Sequence, residues 1–173
     1  MPTCPRCAFL ALVLAVLAFT GCDTNNPGSG LDEVAGTYTA ATLRFDPEAT
    51  NVLDADVLET LRNSLLTVEV FADGQMTVSF EPLGGARQLV TGTARASSRT
   101  VTISARTDAD RDRMALLLLP PEVSLARDDL APDRLTASLL LTGVDLEAFD
   151  PVLYAGLTSV RGRLEIQIDR TAD

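Results

Sequence analysis

The chain has 173 residues and a formal net charge of −10; all 14 basic residues are Arg, and there is no Lys or His. That length fits one domain beside a targeting segment, and the acidic balance argues against nucleic acid and against charge-driven binding to anionic lipid. Without His or Lys, His-based nucleophile systems, His-ligated metal sites and Schiff-base chemistry are excluded.

Residues 1–7 form a short leader whose one charged side chain is Arg6, and Ala8 to Phe19 follow as an unbroken apolar run of 12 residues. A membrane-spanning helix needs about 20, so the run reads as the hydrophobic core of an export signal. Cys4 and Cys7 have the spacing of a redox or zinc pair, but they precede the run, in a segment expected to be discarded. Phe19-Thr20-Gly21-Cys22 resembles the bacterial lipobox. Gly21 and Cys22 match its most restrictive positions, while Phe19 and Thr20 depart from the commonest residues. The resemblance implies that residues 1–21 are a lipoprotein signal peptide cleaved after Gly21. It also implies that the Cys22 thiol receives a diacylglycerol and the new amine a further acyl chain. Two or three acyl chains hold a protein stably on a membrane. The implied location is the bacterial cell envelope, lipid-anchored, with the membrane and its face left open. Asp23 resembles the inner-membrane retention residue of enterobacteria, a rule that many phyla do not use.

Once residues 1–21 are removed, Cys22 is the one remaining thiol, so no intramolecular disulfide is expected. Arg6 is the only charged side chain removed, which takes the net charge from −10 to −11. Asp23 to Gly30 is polar and contains Gly and Pro, so residues 22–33 read as the lipidated cysteine and a flexible tether. Residues 34–170 read as a single β domain.

Gly36 to Phe45 is rich in Thr and aromatic residues and predicts the first strand. Val57, Leu58, Leu61 and Leu65 recur at helical spacing, which predicts one short amphipathic helix within Val52 to Leu66. Thr67 to Phe80 predicts a hairpin with Asp73-Gly74 in a type I′ turn. Arg87 to Arg95 and Arg99 to Arg106 predict a second hairpin turning at Ser97-Ser98. Met114 to Leu119 is a continuous apolar run ended by Pro120-Pro121, read as a buried strand with a helix as the alternative. Val123 to Ala126 reads as a short edge piece, Arg134 to Thr142 as a strand, and Leu146 to Leu157 as a loop with a helical turn. Arg161 to Arg170 closes the chain with strict alternation.

About eight short strands with hairpin connections predict an all-β, antiparallel up-and-down barrel or a sandwich. Gly36-Thr37-Tyr38 resembles the Gly-x-Trp of the first strand in lipocalin-like barrels, with Tyr in the place of Trp. The resemblance implies an Arg near the last strand that packs over that aromatic ring. Arg161 and Arg163 are candidates by position, although their alternation puts them on the polar face. It also implies a small hydrophobic molecule as ligand.

Asp108, Asp110 and Asp112 are spaced like the opening of a Ca²⁺ loop, but Arg113 and Leu119 occupy the Gly and Glu positions such a loop requires. A solvated loop is expected there, and no metal or cofactor. Leu116 to Leu118 and Leu139 to Leu141 are consecutive apolar residues, not alternating ones. They predict strands covered on both faces, or facing a ligand or a partner. The Lys-free, Asp-rich composition fits either a GC-rich genome or a halophile. The functional expectation is a non-catalytic envelope lipoprotein that binds a small hydrophobic ligand. The alternative is a structural lipoprotein serving an envelope protein complex. No catalytic, cofactor or metal residue is expected; Cys22 is the one site residue.

Overall fold

The computed structural model describes residues 30–128 and 130–171. Cys4, Cys7, Gly21, Cys22 and Asp23, and with them the export signal and its cleavage site, lie outside the described residues.

The alternation at the end of the chain becomes β9 (Val160–Arg170), with Leu164, Ile166 and Ile168 buried and Arg163 and Glu165 exposed. Its partner across the closing seam is β1 (Gly36–Pro47), paired antiparallel from Tyr38↔Arg170 to Pro47↔Gly162. Gly162 is needed at that seam, because a Cβ there would collide with the Asp46 carbonyl and the Phe45 ring. Between them run β3 (Leu61–Val70), β4 (Gln75–Pro82), β5 (Gln88–Ala96), β6 (Thr100–Ala105), β7 (Glu122–Asp128) and β8 (Ala131–Val144). Each pairs antiparallel with its neighbour, and the β1–β9 pairing closes an eight-stranded up-and-down barrel. A two-residue strand, β2 (Ala55–Asp56), bridges to β1. The barrel alternative therefore holds over the sandwich.

Both predicted hairpins form. In the first, the turn differs from expectation. Gly74 has φ +82°, but Asp73 is not among the positive-φ residues. Gly74 N–H donates to Phe71 O at 3.0 Å and Phe71 N–H to Gln75 O at 2.9 Å, so a three-residue loop with a glycine bulge replaces the type I′ turn.

The helix expected within Val52 to Leu66 contracts to a single 3₁₀ turn, Leu58–Thr60, between β2 and β3. Four apolar residues at helical spacing are too short a pattern to outweigh a ladder, and Leu61 onward pairs with β4. Asn63 and Ser64, at φ 58° and 51°, form the irregularity that turns the chain into that ladder. Met114 to Leu119 is not a strand. It is the end of α2 (Asp108–Ala115) followed by a turn. Val123 to Ala126 lies in β7, where Val123 to Leu125 pair with β6 alone, as an edge does, and pairing with β8 begins at Ala126. Leu139 and Leu141 are half-buried while Leu140 is exposed, so that part of β8 alternates after all.

A short helix, α1 (Leu31–Val34), starts within the segment read as tether. It closes the barrel end that carries the β3–β4, β5–β6 and β7–β8 turns, with Leu31 and Val34 buried. Tyr38 Oη donates to Val34 O at 2.8 Å and ties the helix to β1.

Candidate functional site: the open mouth of the barrel

The other end of the barrel is built from the four longer connections, at residues 48–60, 83–87, 106–121 and 145–159. They surround an open cleft of about 920 Å³. Phe80, Leu119, Leu141 and Phe149 contribute its apolar surface, and Leu83, Leu116 and Leu153 stand exposed around it. The cleft exists partly because two strands diverge. β7 pairs with β8 only through Ala126, Arg127 and Asp128, at the closed end. Toward the mouth, β8 continues against β9 alone, as far as Val144↔Val160.

Among the described residues, the barrel interior shows no comparable space. One void of about 20 Å³ lies among Leu43, Val78, Ile103, Leu119, Leu125 and Ile166. That is room for about one water molecule, within a wholly apolar lining, and not for a ligand. The barrel's own side chains fill it, and part of the filling comes from the mouth. After α2 the chain turns sharply: Leu117 and Leu119 N–H both donate to Met114 O, at 2.9 and 3.1 Å, and Leu118 adopts φ +55°. Leu117 to Leu119 are all buried as a result. Leu119 touches both the void and the cleft, so it is the partition between them.

The acidic run at 108–112 forms the first turns of α2 and not a loop. Thr107 caps the helix: Asp110 N–H donates to its Oγ1 at 3.2 Å, and Thr107 N–H returns a bond to Asp110 Oδ2, also at 3.2 Å. The Asp110 side chain is only 5% exposed. Thr107 Oγ1, Thr91 N–H, Thr91 Oγ1 and Arg113 also donate to it. Burial alone would raise its pKa, but the bonds from Thr107 and Thr91 together outweigh burial and hold it below the ordinary value. Asp108 is bound instead by Arg111 on the helix surface. These carboxylates thus serve helix α2, and among the described residues no three of His, Cys, Asp and Glu are arranged to hold a metal ion.

Five carboxylates line the mouth cleft: Asp54, Asp56, Glu59, Asp145 and Asp150, with no Arg among the lining residues. Three are placed by local turns. Asp56 Oδ1 accepts from Leu58 N–H at 3.0 Å, and Asp145 Oδ1 caps α3 (Leu146–Phe149) through Ala148 N–H at 2.9 Å. Asp150 Oδ1 accepts from Val152 and Leu153 N–H at 3.0 and 2.9 Å. Asp54 pairs with Arg44 on β1. Tyr154, buried, donates its hydroxyl to Asp54 O at 3.0 Å and so fastens the β8–β9 connection to the β1–β3 connection. Burial first, and then the charges of Asp150 and Asp54, raise the phenol pKa above its ordinary value.

The sequence expectations reach this site only in part. Cys22 lies outside the described residues. Arg161 and Arg163 point outward, to Glu48 and Ser138, and the Arg over the Tyr38 ring is Arg170 instead. Alternation could have found it, since the parity that buries Leu164, Ile166 and Ile168 also turns Arg170 inward. Thr107-x-x-Asp110 is likewise a capping signature visible in the sequence. The cleft carboxylates come from two connections far apart in the chain, Asp54, Asp56 and Glu59 from one and Asp145 and Asp150 from the other. No model of a known protein family matches the chain, and no curated protein matches it.

Proposed function

We propose that the chain is a bacterial envelope lipoprotein whose barrel is a non-catalytic binding module for a small hydrophobic molecule. The observation that carries the binding reading is the mouth cleft of about 920 Å³ with its apolar lining. That size lies toward the upper end of the roughly 300–1,000 Å³ of small-molecule sites. Anchoring rests on the apolar run at 8–19 and on Gly21-Cys22, with acyl chains on Cys22 as the source of membrane affinity. Helix α1 lies at the closed end and the cleft at the opposite one, so a tether leading into α1 would leave the mouth facing away from the membrane. Fully extended, residues 22–30 reach at most about 30 Å.

A second reading, an accessory to an envelope protein complex, is favoured by one observation. The mouthward part of β8 has a strand partner on its β9 side alone, beside the exposed Leu116 and Leu153. A partner protein could add a strand and apolar contacts there.

Native mass spectrometry of the mature chain with Cys22→Ser, after challenge with mixed apolar small molecules and lipids, separates the two readings. A bound mass of a few hundred daltons supports the binding module. Persistent absence of any bound mass removes it and leaves the accessory role.

A further inference from the structure

We propose that the mouth cleft selects cationic amphiphiles: small molecules with an apolar body and an ammonium or guanidinium group. The proposal rests on the binding reading above and adds the charge of the ligand. An apolar floor alone would accept an alcohol, a fatty acid or an amine of equal length. The rim distinguishes them, since all five of its charged residues are acidic. Outside the cleft, seven of the sixteen described carboxylates have an Arg partner, as in Arg62–Glu81, Arg127–Glu33, Arg134–Asp169 and Arg161–Glu48. In the cleft only Asp54 has such a partner among the described residues. Glu59 makes no hydrogen bond or ion pair among the described residues, and the turn bonds of Asp56, Asp145 and Asp150 use Oδ1. Their charge therefore remains for a ligand to neutralise. These acids do not converge as metal ligands do, so a diffuse organic cation suits them better than a chelated ion. A carboxylate ligand would meet like charge from two of the four connections, those at 48–60 and 145–159.

The test compares dodecylammonium, dodecanol and dodecanoate below their aggregation concentrations, titrated into the mature chain with Cys22→Ser by calorimetry. The proposal predicts that dodecylammonium binds about ten-fold tighter than dodecanol and that dodecanoate binds weakest. The preference should shrink as salt rises, because the rim is solvent-accessible. In Asp56→Asn/Glu59→Gln/Asp145→Asn the preference should fall to about two-fold or less. Asn still accepts the turn bonds, so the fold is retained. A charge-matched control at the closed end, Asp32→Asn/Asp73→Asn/Asp128→Asn, should keep the full preference. Equal binding of all three probes overturns the charge selection while leaving the binding reading intact. An equal loss of preference in both triple variants overturns it too, by assigning the effect to net charge. Failure of all three probes to bind overturns the binding reading itself.

Discussion

The guanidinium of Arg170 lies over the ring of Tyr38, 5.4 Å from its centroid. Its Nη2 donates to the carbonyls of Glu33 and Ala35, at 2.9 and 2.8 Å, and contacts Tyr38 Oη at 3.2 Å. One side chain on the last strand thus joins the first strand to α1 and seals the closed end. A cation over an aromatic ring contributes about 0.5–2 kcal/mol, and hydrogen bonds from a charged donor add to that. Arg170→Ala should lower stability by about 2–3 kcal/mol in urea denaturation. Arg170→Lys should recover only part of the loss, since an ammonium lacks the planar fork. Full recovery by Lys would show that charge alone matters at this position.

Asp110 should give the domain an acid-sensitive component. Its folded-state pKa lies below the unfolded value of about 3.9. The stabilisation is therefore complete above that unfolded value and is lost as pH falls through the folded one. Asp110→Asn should cost about 1–2 kcal/mol at pH 7, and the gap to wild type should narrow at pH 3. Asp169, held low chiefly by the hydrogen bond from Arg134, titrates in the same direction. A gap that stays constant from pH 7 to pH 3 would remove Asp110 as the source.

Leu119 is predicted to be the partition between the barrel void and the mouth. Leu119→Ala should cost about 2–5 kcal/mol, as buried leucine truncations do. It should also join the void to the cleft, so longer apolar probes bind more tightly than in wild type while short ones are unaffected. Loss of stability with no change in probe-length preference would place the partition elsewhere.

How much of this was legible differs between strand faces and connections. Leu164, Ile166 and Ile168 in β9, and Val68, Val70, Met76 and Val78 in the first hairpin, carry their burial in period-two alternation. Tyr38, which Gly36-Thr37-Tyr38 singles out in the sequence, is fully buried. Continuous apolar runs carry no such signal. Leu116 to Leu119 has no periodicity of its own, and its outcome depended on the Thr107–Asp110 cap upstream and the prolines downstream. Val57, Leu58 and Leu61 are all buried, as a helix would have buried them, but through a 3₁₀ turn and a strand start. The cleft was not legible at all. Asp56, Phe80, Leu119 and Asp145 meet only because four connections gather at one end of the barrel.

Membrane attachment should depend on one atom, the Cys22 sulfur. Cys22→Ser is expected to move the mature protein from the membrane fraction to the soluble fraction of a bacterial lysate. Retention of the Ser variant on membranes would mean that another part of the chain binds lipid.

In the proposed binding module, ligand occupies the mouth and not the barrel interior. Ala148 lines the cleft from α3 and is exposed, so a bulky side chain there obstructs the site without entering the core. The most direct measurement is the affinity of a small apolar fluorophore for Ala148→Trp, taken beside its melting temperature. A mouth site predicts at least a ten-fold loss of affinity with a melting temperature within about 2 °C of wild type, as for a surface substitution. Undiminished binding in a stably folded Ala148→Trp would place the ligand away from the mouth.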